Sequence, residues 1–316
     1  LAPPHPGLYL MKKNLLLPYL IGLLVILGLT LLVYPHAAAW LSQYEQSKVT
    51  GAYSEQIATA QPDKDTQLAA AHAYNEAFNA GAVLEANERK ATGTGDTTAA
   101  DGIWPYEKIL AADSEGLMAR LRIPTIDVDL PVYHGTSDEV LNRAAGHLEG
   151  TSLPVGGPST RAVITAHRGL ANARMFTDLN KVNVGDTFTI EVFGDVLTYR
   201  VRDTKVVAPE DTDTLRVEEG KDLVTLVTCT PLGINSHRIL VTGERIIPTP
   251  VADVEAANKP SDLPRFPWFA IAYGVAVLAT IGVLARMTWK ERRRAQKVAA
   301  ARKESSAQEV AAAQEE

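Results

Sequence analysis

Cysteine is almost absent: the 316-residue chain carries one, Cys229. A lone thiol forms no intramolecular bridge, and it supplies too few thiolates for a zinc ribbon or an iron–sulfur cluster. No His/Glu pair has the spacing of a helical zinc site such as HExxH, and no glycine-rich loop has the pattern of a phosphate cradle. No cofactor or metal is therefore expected. Excess positive charge is also missing. The net charge is −6, which gives nucleic acid no electrostatic footprint. With 46% hydrophobic residues and only 22 glycines, the chain is neither disordered nor collagen-like.

What is present is unevenly spread. Residues 14–34 (NLLLPYLIGLLVILGLTLLVY) carry no charge and follow Lys12 and Lys13. About 20 apolar residues suffice to cross a bilayer as a helix. Two readings compete: a retained transmembrane anchor, and a signal peptide cleaved near Ala37-Ala38-Ala39. The run exceeds the usual apolar core of a signal peptide, roughly 7–15 residues, which favours the anchor. The residues ahead of Met11 read as an upstream extension.

A second charge-free run covers 268–285 and opens with Trp268 and Phe269. Lys290, Arg292, Arg293, Arg294, Lys297, Arg302 and Lys303 follow it. Basic flanks stay in the cytoplasm. Both termini, 1–13 and the basic tail 286–316, are therefore expected inside, with residues 35–267 outside the membrane. The end of the tail, rich in Ala, Glu and Gln, reads as a solvated helix without chemistry.

Between the two runs, residues 36–92 read helical. Leu68, Ala71, Tyr74 and Phe78 recur near helical spacing, and Pro62-Asp63 mark a start. Residues 91–102 are small and polar, which marks a linker. From Leu117 the pattern alternates as strands do, at 118–124, 125–130, 162–166, 187–193, 197–207, 223–228 and 238–245. Short helices are expected at 138–144 and 173–180. So many short strands imply a mainly β fold closed into a barrel, because an open sheet would leave unpaired edges. Residues 248–267 then form a linker to the second span.

Cys229 ends an apolar, β-branched strand and is followed by a turn, so its thiol can face a groove or be a small buried hydrophobe. His167 ends another apolar strand, and Arg238 opens the strand after the Cys229 turn. A nucleophilic thiol needs an imidazole partner, and acyl transfer needs a donor for the oxyanion, a role suited to a permanently charged guanidinium. His147, with Gly146 on one side in a loop-like stretch ending at Gly150, ranks second as a base.

These residues carry a resemblance. Thr225-Leu226-Val227-Thr228-Cys229 matches the TLxTC signature of sortases, the cysteine transpeptidases of Gram-positive surfaces. The segment Thr165-Ala166-His167-Arg168-Gly169 resembles the sortase histidine segment, and Asn235-Ser236-His237-Arg238, with its arginine nine positions after Cys229, resembles the arginine segment. The stretches 131–137 and 146–154, with the second span and basic tail, resemble the pilin-polymerising group, class C. The resemblance covers residues 117–247.

It implies a sortase-type barrel in which Cys229 is the nucleophile, His167 the acid/base and Arg238 the holder of substrate and oxyanion. Thr228 and Thr230, which flank the nucleophile, are the implied substrate contacts. The implied partners are pilin subunits or other surface proteins with LPxTG-type sorting signals, joined through a Lys amine at the cell membrane. Many class C members carry an Asp-Pro-aromatic lid over the groove. That motif is missing between Tyr74 and Asn87, and Trp104, in Asp101-Gly102-Ile103-Trp104-Pro105-Tyr106, is the candidate in its place, with anchoring of the barrel as its other reading. Two alternatives to pilin joining stand: a wall-anchoring sortase that uses a peptidoglycan precursor amine, and a non-catalytic module that only binds sorting signals.

Overall fold

A computed structural model describes residues 6–312 apart from 61–62, 78–81, 85–90, 94–103 and 258. In chain order the elements are α1 (Pro6–Thr59), α2 (Lys64–Ala77), β1 (Ala82–Leu84), β2 (Ala91–Gly93), β3 (Leu117–Ile123), β4 (Val128–His134) and α3 (Asp138–Leu141). They continue with β5 (Ala145–His147), β6 (Thr160–Thr165), β7 (Thr187–Val192), β8 (Asp195–Val207), β9 (Asp222–Thr230), β10 (His237–Arg245), α4 (Val251–Ala257) and α5 (Trp268–Ala312). Contacts divide the chain into two units, one of Leu1–Ala37 with Phe266–Glu316 and one of Ala38–Arg265.

In the larger unit β3 to β10 close into a barrel in the order β10-β8-β7-β3-β4-β5-β6-β9. The β4–β5 and β6–β9 ladders are parallel and the others antiparallel. Closure removes the unpaired edges that an open sheet of these strands would expose. Alternate side chains fill the inside: Leu121, Leu130, Ile164, Phe188, Tyr199, Leu226 and Val241 all belong to the main core. The residues between them face outward. There Val163, Val227 and Leu240 gather with Leu148, Val207 and Leu215 into a second, smaller apolar cluster.

The helices are fastened to the barrel by polar side chains. Near the end of α1, the Tyr53 hydroxyl donates to the Met118 carbonyl (2.6 Å) and accepts from the Phe193 amide (3.0 Å). Asp63 caps α2 by accepting from the Thr66 amide at 3.0 Å. Asn75 on α2 exchanges two hydrogen bonds with the backbone of Leu153. The buried Arg120 grips Asp129 with two bonds of 2.8 Å and reaches the Ala257 carbonyl at the end of α4.

The smaller unit holds the first part of α1, up to Ala37, and α5. Leu16–Thr59 and Trp268–Ser305 each contain a stretch long and apolar enough, by length and composition, to cross a bilayer. Within this unit the Thr30 hydroxyl meets the Tyr273 hydroxyl at 2.7 Å. A Cβ at Gly22 would lie 2.7 Å from Leu284, so the small residue permits the close approach of the two helices.

Five elements differ from the sequence-based expectation, one being helix α4, Val251–Ala257, which forms inside the expected linker 248–267. The helical region over 36–92 is two helices, α1 and α2, and β1 pairs with β2 where a continued helix was expected. The strand expected over 125–130 starts at Val128, because Pro124–Ile126 form a 3₁₀ turn and Asp127 is left-handed (φ 52°). The helix expected over 173–180 is a series of turns ending in a 3₁₀ turn, Leu179–Lys181. There the Phe176 amide bonds to the His167 carbonyl at 3.0 Å instead of a helical partner. Finally, Ala145–His147 form strand β5. Parts of the expected lid region, residues 78–81, 85–87 and 101–103, lie outside the described residues.

Candidate active site

The site follows from the alternation of three adjacent strands. On β9, Val224 and Leu226 enter the main core while Val227 joins the outer cluster. Cys229, two residues beyond Val227, therefore shares the outer face. On β10, Ile239 and Val241 point inward and Leu240 outward, so Arg238 also takes the outer face. Arg238 and Cys229 are direct partners across the antiparallel β9–β10 ladder. On the other side of β9, parallel β6 pairs Thr165 with Val227. His167 lies two residues past Thr165, as Cys229 lies two past Val227.

Cys229 and Arg238 thus sit on neighbouring strands about 4.8 Å apart, and His167 follows the end of β6, the strand on the other side of β9. All three are buried, with 4, 7 and 1% of their surface exposed. Electrostatic interactions are stronger at such depth than in water. Arg238 Nη1 donates to the carbonyls of Asn235 (2.8 Å) and His237 (3.2 Å), so the turn between β9 and β10 fixes the guanidinium.

The two threonines expected at the substrate have different surroundings. Thr228 has the inward parity of Leu226, is buried, and donates to the Ala166 carbonyl at 2.7 Å. Its hydroxyl thus holds the residue that precedes His167. Thr230 is half-buried at the mouth of the strand and accepts from Arg168 Nη1 at 3.0 Å. Trp104 is half-buried and packs against the main core.

His147, the second-ranked base, is fully buried inside a polar network. Its Nε2 donates to the Ser152 carbonyl (2.8 Å) and its Nδ1 accepts from the Tyr106 hydroxyl (2.9 Å), which assigns the neutral tautomer. Burial pushes its pKa down to about 4. Tyr106 also packs edge-on against His134, at 4.9 Å between ring centres. This group ties Tyr106, in the segment before β3, to the barrel. Among the described residues, no group of three His, Cys, Asp or Glu side chains could hold a metal ion.

Arg168 escaped the sequence reading. Each of its three nitrogens has an acceptor: Thr177 O, Thr230 Oγ1 and Asn180 Oδ1, at 3.0–3.1 Å. Only its adjacency to His167 hinted at a role.

The sequence model described as Sortase domain matches residues 121–246. Among solved structures, the Pilus Island 1 sortase C2 of group B Streptococcus is 44% identical and superposes with a TM-score of 0.50, covering 58% of this chain and 97% of its own. Sortase C-1 of Streptococcus pneumoniae is 43% identical, with a TM-score of 0.53 and coverages of 63 and 98%. The chain belongs to the sortase family. Sortase D of Bacillus subtilis is 26% identical over 129 residues, 40% of this chain. That match spans 62% of the length of sortase D, less than two thirds of the curated relative. The solved neighbours of this sortase are class C members, and they share its closed barrel.

Proposed function

We propose that this sortase is a membrane-anchored cysteine transpeptidase that joins pilin subunits. The observations that support the proposal are the pairing of Cys229 with Arg238 across the β9–β10 ladder and the position of His167 just past the end of β6, the strand that pairs with β9 on its other side. A solved relative that is a pilus-island sortase, 44% identical, supports the pilin assignment.

In the first half-reaction the Cys229 thiolate attacks the Thr carbonyl of an LPxTG-type signal. A C–S bond forms, and the carbonyl electron pair moves onto oxygen, where the Arg238 guanidinium holds it. The C–N bond to Gly then breaks as His167 gives its proton to the departing amine. In the second half-reaction a Lys side-chain amine of another pilin attacks the thioester. His167 takes the proton, sulfur leaves as thiolate, and an isopeptide bond remains. Thr230 lines the mouth of this path. Thr228 holds the His167 segment. Trp104, packed on the barrel, anchors the segment before β3, and the groove-filling role is the weaker of its two readings.

The two apolar helices would place both termini in the cytoplasm and residues 35–267 outside, beside membrane-held pilin precursors. The test is mass spectrometry of the covalent product formed with pilin substrate. A Thr–Lys isopeptide bond, lost on Cys229→Ala, supports the reading. A bond to a peptidoglycan amine supports wall anchoring instead, and no covalent product at all supports a binding module.

A further inference from the structure

We infer that Arg168 is a positioning residue for the thiol–imidazole pair, clasping the His167 segment to the strand end that bears Cys229. This rests on the transpeptidase reading of the same site.

The β6–β9 ladder stops short of the reacting groups. Its last register pair is Thr165 with Val227. Beyond that point the Ala166 amide reaches the Val227 carbonyl (3.3 Å), and the Thr228 hydroxyl reaches the Ala166 carbonyl. His167 itself begins a loop. The loop returns on itself where the Phe176 amide bonds to the His167 carbonyl and the Gly169 amide bonds to the Thr177 hydroxyl. A self-closed loop can still drift as a body against β9.

Arg168 prevents that drift. Nε and Nη2 bond to Thr177 O and Asn180 Oδ1, within the loop, and Nη1 crosses to Thr230 Oγ1, one residue from Cys229. One planar fork therefore spans the segment next to the base and the segment next to the nucleophile. A guanidinium suits this, since its donors are fixed in one plane, whereas an ammonium on a flexible stem cannot serve three separated acceptors. The clasp is seconded on the same side by Gly169, which is left-handed (φ 76°) and tight against Leu232. A Cβ there would lie 2.5 Å from the leucine.

The test compares the full chain in detergent micelles as wild type, Arg168→Gln, Arg168→Lys and Thr230→Val. Two readouts are taken: the pH dependence of Cys229 alkylation by iodoacetamide, and acylation kinetics with an LPxTG peptide. Expected is a fall in kcat of between about tenfold and a hundredfold for Arg168→Gln, with KM changed far less, as for a base displaced by about an ångström. The alkylation profile should move toward that of a cysteine in an unstructured peptide, near pH 8.5. Arg168→Lys should recover only part of the loss. Thr230→Val, which leaves the arginine in place, should shift the alkylation profile in the same direction, and adding it to Arg168→Gln should shift it no further. An unchanged profile and kcat in Arg168→Gln, full recovery with Lys, or strictly additive shifts would overturn the clasp. Should Arg168→Gln not fold, an unshifted profile in Thr230→Val overturns it alone. The alkylation arm needs no substrate. A wild-type chain that forms no thioacyl adduct defeats the transpeptidase reading, while the profiles still decide the clasp.

Discussion

Arg238 stands directly across the β9–β10 ladder from Cys229, so the guanidinium and the thiol share the outer face of the barrel. The backbone pairing of two strands sets their separation, and the turn carbonyls of Asn235 and His237 hold the guanidinium. In the proposed reaction, a charged donor fixed in this way would need no reorganisation as an oxyanion forms beside it.

For that reason Arg238→Gln is expected to lower kcat for acylation by about 10² to 10³-fold, the usual cost of losing an oxyanion donor. Arg238→Lys should recover little, because one ammonium cannot reproduce a fork clamped by two carbonyls. Peptide cleavage followed by stopped-flow fluorescence measures both. Equal rates in wild type and Arg238→Gln would remove Arg238 from the chemistry.

His147 makes stability depend on pH. Its ordinary value of 6.5 falls to about 4 in the folded chain, because burial disfavours the charged ring. Between those values the unfolded chain binds a proton that the folded chain does not. Stability therefore rises with pH across this window, and it is lost as pH falls from about 6.5 toward 4, by on the order of 3 kcal/mol. Urea unfolding between pH 4 and 7 should show this slope, and His147→Gln should flatten it. An identical slope in both proteins would contradict the assignment.

Tyr53 ties the end of α1 to two strand neighbours through one hydroxyl. Tyr53→Phe leaves the Met118 carbonyl and the Phe193 amide without that partner in a buried place. The expected cost is about 1–3 kcal/mol, read as a lower urea midpoint at unchanged slope. A midpoint equal to wild type would show that the hydroxyl adds nothing to the docking of α1.

The strand ends that carry His167, Cys229 and Arg238 were legible because their signals are local. The β-branched run into Cys229 and the apolar run into His167 both read as strands that end at a polar residue. Their alternation decides which face each side chain takes. The barrel was legible from the number of short alternating runs. What stayed hidden depends on distant partners. Strand β5 is three residues long and exists only because β4 and β6 pair with it from either side. His147 therefore read as a loop residue, although it lies fully buried beneath Tyr106. Residues 173–180 have helix-forming composition, but the Phe176 amide turns back to His167. The bonds of Arg168 run to residues up to 62 positions away in sequence, beyond the reach of any spacing rule.

The most direct measurement is the intact mass of the full chain after reaction with an LPxTG peptide, followed by mapping of the modified residue. The account predicts an adduct equal to the acyl fragment ending in Thr, located on Cys229, accumulating in wild type and absent from Cys229→Ala. An adduct that persists in Cys229→Ala, or peptide cleavage at wild-type rate without any adduct on Cys229, would contradict it.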